Sequence, residues 1–226
     1  LLGDMQVGET IVSGQLSATG HNGQDGGFIE TSAAKVNIAN TTKVSTLSDS
    51  GKTGQWLIDP TDFTIAATGG NTTGSLLSSE LESSNITIQS TSGSTGTKGD
   101  INVNDSVTWS SNTLTLKALN DININTAMTA SGTAGLALEY GQDAVAANNL
   151  STYNVKAPIN LASTGSFTTK QGSDGAVKTY TIITALGNQG STTGKDLQGI
   201  KGNLTNNYVL GSNIDASTTA SWNSGA

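Results

Sequence analysis

A parallel β-helix, a solenoid of short strands stacked in coils of about 21 residues, is the fold class the sequence predicts. Composition, two-residue alternation and a returning spacing carry that expectation. Among 226 residues, 27 Ser, 34 Thr, 28 Gly and 21 Asn make up about half the chain. That mixture suits strands and turns and is poor in the residues that favour helices. Low hydropathy would permit disorder, but charged residues are only 12% and Val, Ile and Thr are plentiful, as an ordered sheet requires.

Alternation shows in FTI (63–65), ITI (86–88), INV (101–103), VTW (107–109), LTL (114–116), INI (122–124) and LAL (136–138). In each, apolar residues stand two apart, so they share one face of a half-buried strand, and no helical stripe is present. Aligned along the chain, Ile65, Ile86 and Val107 are spaced 21 and 21, Ile101 and Ile122 are spaced 21, and Leu114 and Leu136 are spaced 22. Three short strands recurring at a near-constant interval are what stacked β-coils require. At about 4.8 Å per coil, the whole chain predicts roughly ten or eleven coils and a rod of about 50 Å.

The elements follow in order. LLGDMQVGET has neither a charged leader nor an initiator methionine, and is expected to be the start of an excised piece of a longer protein. TGQWLIDPTDFTI (53–65) enters the regular coils. Pro60 marks a corner because it has no N–H for a ladder, and Asp59 caps amides at the bend. Further corners are expected at SDSGKTG, ATGGNTTGS and GSTGTKGD, rich in the residues that accept tight turns. Asn102, Asn104, Asn123 and Asn125 sit at outward positions or the adjoining corner and are expected to stack as amide ladders. Residues 1–143 read as regular coils and 144–226 as the same solenoid with decorated coils, not a second domain. The later portion holds a helix-like alanine cluster at AVAANN, Pro158, and a helical turn in TTGKDLQGIKGNL with Thr193 as N-cap and Leu197 and Ile200 facing inward.

Charge and residue types exclude several functions. All ten basic residues are lysines and the net charge is −7, so no basic, arginine-bearing face exists for a nucleic acid. No cysteine is present, which removes disulfides, thiolate metal sites and thiol nucleophiles together. No apolar run approaches the ~20 residues a membrane-spanning helix needs. No metal or other cofactor is expected.

Motifs that match a chemistry on paper fail in context. Ser32 and Lys35 have the S-x-x-K spacing of serine β-lactamases, with a K-T-G at Lys52–Gly54, but Ser32 precedes a strand-like KVNIA instead of opening a helix. GSTTGK (190–195) and SDSGKT (48–53) lack the first glycine of a phosphate loop. His21, the one histidine, lies in a glycine-rich loop. The carboxylate pairs Asp59 with Asp62, Glu80 with Glu82 and Asp100 with Asp105 would be needed by a polysaccharide-cleaving enzyme, but no arginine is available to clamp an acidic sugar. Structural or solvating carboxylates are expected. Six N-x-S/T triplets, beginning at Asn40, Asn71, Asn85, Asn104, Asn149 and Asn203, are expected by chance in this composition.

GGFIETSAAKVNI followed by TGQWLIDPTDFTI resembles the repeat region of filamentous-haemagglutinin-like exoproteins and high-molecular-weight adhesins of two-partner secretion, and YVLGSNIDASTTASWNSG resembles a later segment of the same proteins. Ala33 departs from the glycine common after ETS. The resemblance implies a right-handed β-helical stalk, secreted and placed on the bacterial cell surface, non-enzymatic, and working in adhesion or biofilm formation. Its implied partners are host or matrix glycans or surface receptors, and an outer-membrane two-partner transporter for the full-length protein. The stalk of a contact-dependent toxin-delivery protein shares the same repeat chemistry. If a sugar is bound, Trp56, Tyr140, Tyr153, Tyr180 and Trp222 are the candidate platforms, with Tyr208 also available, since a flat apolar ring beside hydroxyls and amides suits a sugar. Trp109, two residues from Val107, is expected in the core.

Overall fold

A computed structural model describes residues 1–91 and 98–225 of the chain. Most of the expected corner GSTGTKGD lies outside the described residues. The first coil carries β1 (Glu9–Val12) and β2 (Gln15–Ser17), and the second β3 (Phe28–Ser32), β4 (Lys35–Ile38) and β5 (Lys43–Ser45). The third brings β6 (Gln55–Asp59) and β7 (Phe63–Ile65), then a helix, α1 (Gly74–Leu81). Two coils of three strands follow: β8 (Asn85–Gln89), β9 (Ile101–Val103) and β10 (Val107–Trp109), then β11 (Thr113–Lys117), β12 (Ile122–Ile124) and β13 (Met128–Ala130). A further coil holds β14 (Gly135–Tyr140), β15 (Tyr153–Val155) and β16 (Ile159–Leu161), before β17 (Ser166–Gln171), β18 (Lys178–Ile183) and β19 (Asn207–Leu210).

Like strands of successive coils pair in parallel, which makes the molecule a β-solenoid of about seven turns. The longest sheet runs β3-β6-β8-β11-β14-β17-β18-β19, beside β7-β9-β12-β15 and β10-β13-β16 on the other faces. The direction reverses at β18, which lies antiparallel to β17, and β19 pairs parallel to β18 in the reversed sense. Alternation then sets the core. Trp56, Ile86, Leu114, Leu136 and Phe167 form one inward stack, and Phe63, Ile101, Ile122 and Tyr153 another. Each fully buried aliphatic side chain contributes about 1.5–3 kcal/mol.

Two of the expected ladders are present: Ile101 pairs with Ile122, and Leu114 with Leu136. The coil length and the remaining ladder are corrected. Turns recur about 28 residues apart, and the interval of 21 or 22 belongs to the single step from β9, β10 and β11 to β12, β13 and β14. Ile65, Ile86 and Val107 do not stack, because Ile65 pairs with Val103, Ile86 lies between Trp56 and Leu114, and Val107 pairs with Met128. Inward positions recur every second residue on every face, so a fixed offset finds inward residues of different sheets as readily as of one. Inserted segments between strands lengthen the other coils. Seven turns give a stack of roughly 30 Å, not 50.

The longest step, from Phe63 to Ile101, is the coil that contains α1. Thr73 caps the helix, its Oγ1 accepting from Leu76 N at 3.2 Å, and Leu76, Leu77 and Leu81 are buried. Positioned between β5 and β10, the helix does what a strand would do there, but with side chains. Val44 N donates to Glu80 Oε2, Thr108 N to Ser78 Oγ at 2.9 Å and Ser110 N to Glu82 Oε1 at 3.0 Å. Just before it, Asn71 fills the step between β4 and β7. It accepts from Ile38 N at 2.7 Å, donates from its own N to Thr64 O at 2.8 Å, and from Nδ2 to Val36 O at 2.8 Å.

Toward the C-terminal end, AVAANN forms turns instead of a helix. The helical turn expected in TTGKDLQGIKGNL is present as a 3-10 helix over Gln198–Gly202, with Leu197 and Ile200 half-buried. Thr193 is not its N-cap, since Leu197 occupies that place. The Thr193 hydroxyl instead accepts from Lys195 N at 3.1 Å.

Candidate functional site

Side chains opposite the core stacks face outward in rows that cross the coils. On the β7-β9-β12-β15 sheet, Asn154 Nδ2 donates to Asn123 Oδ1 at 3.0 Å and Asn123 Nδ2 to Asn102 Oδ1 at 3.1 Å. Asn125 Nδ2 donates to Asn104 Oδ1 at 2.7 Å. The expected amide ladders exist, and Asn154 extends one of them.

The candidate aromatic platforms divide. Trp56 is a correction: it is 1% exposed, sits inside the solenoid, and donates from Nε1 to Thr31 Oγ1 at 3.1 Å. Alternation in QWLID turns Trp56 and Ile58 inward, so neither face of the indole is free. Trp109 is buried as expected. Tyr140, Tyr153 and Tyr180 are brought together where the core ends. The Tyr140 and Tyr153 rings lie 5.3 Å apart, and Tyr180 packs on Phe167 at 5.2 Å. Burial pushes the Tyr140 and Tyr153 phenols above their ordinary range, with Tyr180 adding to both shifts. These half-buried rings close the interior, their hydroxyls at its wet margin. Trp222 is half-buried in the irregular segment Ser217–Gly225, and Tyr208 is held by a bond from its hydroxyl to Asn203 O at 2.6 Å.

The carboxylates named as possible catalysts act as hydrogen-bond acceptors between coils. Asp62 Oδ1 accepts from Gly99 N at 2.8 Å and Asp100 N at 3.1 Å, and Asp100 Oδ1 from Asn120 Nδ2 at 2.7 Å. Asp105 Oδ2 accepts from Gly74 N at 2.8 Å at the start of α1, while Glu80 and Glu82, at its C-terminal end, accept from Val44 N and Ser110 N. Asp59 differs. Its Oδ1 is buried without a partner, its Oδ2 accepts from Gln89 Nε2 at 3.3 Å, and its carboxyl is pushed up to about 6. Burial is the main cause and the Glu30 charge adds to it, against Gln89 and Lys117.

The remaining motifs have local roles. Ser32 Oγ donates to Glu30 Oε1 at 2.7 Å. In the SDSGKT corner, Lys52 N is spent on Asp25 Oδ1 at 2.8 Å and Gly51 N on Ser48 Oγ at 2.7 Å, leaving no cradle of free amides. His21 is exposed, its Nδ1 3.8 Å from Asp49. Of the N-x-S/T asparagines, Asn71, Asn85 and Asn149 use Nδ2 to hold backbone carbonyls, whereas Asn40 and Asn203 are exposed. Among the described residues, no three His, Cys, Asp or Glu side chains are grouped to hold a metal ion, and no helix is long and apolar enough to cross a membrane.

Sequence reasoning passed over Phe28. Alternation in FIETS turns Ile29 and Thr31 inward, so Phe28 faces out at 57% exposure, the only Phe, Tyr or Trp so exposed among the described residues. It heads an outward row continued by Gln55 and Asn85 and stands over a groove of about 510 Å³. The signal was available: GGFIE begins a two-residue alternation in which the phenylalanine falls on the polar face. Comparison of the chain with protein-family models, curated proteins and solved structures finds no match.

Proposed function

We propose that the chain is a non-enzymatic stalk segment of a large, secreted bacterial surface adhesin of the two-partner type, a right-handed β-helix serving adhesion or biofilm formation. The motif likeness in GGFIETSAAKVNI and TGQWLIDPTDFTI supports the family. The observation that carries the mechanical role is how the outward polar groups are spent. Asparagine rows, the helix carboxylates and the corner aspartates mostly bond from one coil to the next, as a rod that must resist pulling needs. TGQWLIDPTDFTI itself is a coil junction, with Trp56 and Ile58 on one sheet, Pro60 buried at the bend, and Phe63 and Ile65 on the next. The full-length protein would meet its outer-membrane transporter on the way out and host or matrix glycans or receptors afterwards. Antibodies against the folded chain should label intact cells of the source bacterium. Labelling that appears only after lysis would overturn the surface assignment.

A further inference from the structure

We infer that the groove beside Phe28 is a binding site for a neutral hexopyranose unit of a glycan. Phe28, Gln55, Lys52 and Asp25 line it, with Gly26 and Gly54 among its backbone walls.

Packing between coils requires glycine at two of these positions. Successive coils meet closely at this corner, so a Cβ on Gly26 would run into the Thr46 carbonyl, and one on Gly54 into the Gly27 carbonyl. The Phe28 ring stands beside the open groove that these backbones line. A hexopyranose has one face of C–H bonds and an equatorial rim of hydroxyls. The ring supplies the flat apolar surface for the first, and convergent polar groups the partners for the second.

Those polar groups are free to act. Asp25 Oδ1 is used by Lys52 N, but among the described residues its Oδ2 has no protein partner. Gln55 donates from Nε2 to Thr87 Oγ1 at 2.8 Å, which fixes the amide and leaves Oε1 as an acceptor. The Lys52 ammonium makes no ion pair within 4.0 Å among the described residues. One carboxylate and one ammonium therefore flank the ring and balance in charge. An acidic sugar would meet Asp25 in a chain of net charge −7, so a neutral sugar fits better. A second protein is a poor fit, because one exposed ring amid polar groups is far from the ~800 Å² per partner of a stable interface.

This deepens the adhesin reading by giving it a ligand class, but its test needs only the purified chain and is separate from surface labelling. Titrate the full chain with β-linked glucan oligomers, with galactose-terminated oligosaccharides and with uronate oligomers, following backbone amide NMR shifts. Weak, millimolar-range binding of a neutral series is expected, with shifts centred on Phe28, Lys52 and Gln55. Glucans would indicate a matrix polysaccharide and galactosides a host glycan. F28A should weaken binding at least tenfold with an unchanged melting temperature, since the ring is exposed, and F28W should retain it. No binding of either neutral series, preference for uronates, or equal binding by F28A would each overturn the proposal.

Discussion

Asp59 ends β6 with one carboxylate oxygen buried and unpartnered, next to the Glu30 carboxylate. Its carboxyl titrates near 6, above the ordinary 3.8, so between about pH 4 and 6 the folded chain holds a proton that the unfolded chain has lost. Stability contributed by this group therefore falls as pH rises through that window and is level above it. D59N removes the charge and keeps an acceptor for Gln89. Its melting temperature should match the parent at pH 4 and exceed it at pH 7.5 by about 2–4 °C, the shift expected for about 1 kcal/mol after screening of a half-exposed group. Equal gaps at both pH values would refute it, and thermal unfolding followed by circular dichroism is the measurement. The asparagine rows show what was legible at this scale. Outward alternation alone placed Asn102 and Asn123 where their amides meet. Nothing in the alternation told that Asp59 would lose solvent, because that depends on Glu30 and Gln89 from neighbouring coils.

α1 shows how an element of the wrong type is accommodated in a stack of strands. A parallel ladder asks each neighbour for acceptors at regular intervals, and a helix turns its own carbonyls along its axis. The Ser78, Glu80 and Glu82 side chains supply acceptors in their place. Glu80 is 2% exposed and has Lys43 at 3.7 Å, and burial holds its carboxyl above the usual range. E80A should lower stability by about 2–3 kcal/mol, because the buried Val44 N–H loses its acceptor, while E80Q, which keeps an amide oxygen, should lose less than half of that. Urea denaturation gives both values, and faster amide exchange at Val44 in E80A alone would identify the cause. Thr73 followed by Leu76, Leu77 and Leu81 was the available helix signal. It was hidden by a Ser- and Gly-rich setting that elsewhere in this chain makes corners.

Across the whole molecule, each coil touches only its neighbours, so stability is approximately a sum of coil and contact contributions. The stack is closed toward its C-terminal end by two devices: the Tyr140, Tyr153 and Tyr180 cluster over the interior, and the reversal of β18 on the long sheet. Strands paired on both sides, such as β8, β11 and β12, should show the slowest amide exchange, and β1, β2 and β19 at sheet ends the fastest. Uniform protection along the rod would contradict a nearest-neighbour stack. Hydrogen exchange read by mass spectrometry distinguishes the two.

Local chemistry determined much of this protein. Alternation in FTI, INV, INI and LTL specified half-buried strands, the turn-rich composition specified a solenoid of short ones, and outward asparagines specified their ladders. Each of these depends on a residue and its near neighbours in the chain. Which strand lies on which was decided only in the tertiary structure, since register between coils depends on the lengths of the segments between strands. Ile101 and Ile122 meet because their coil has no insertion, whereas Ile65 and Ile86 fall on different sheets, and the partner of Ile65, Val103, comes only after the longer coil that holds α1. The same stacking buried Trp56, gathered three tyrosines at one end, and left Phe28 beside a glycine-lined groove, because exposure belongs to the packed coils and not to the residue.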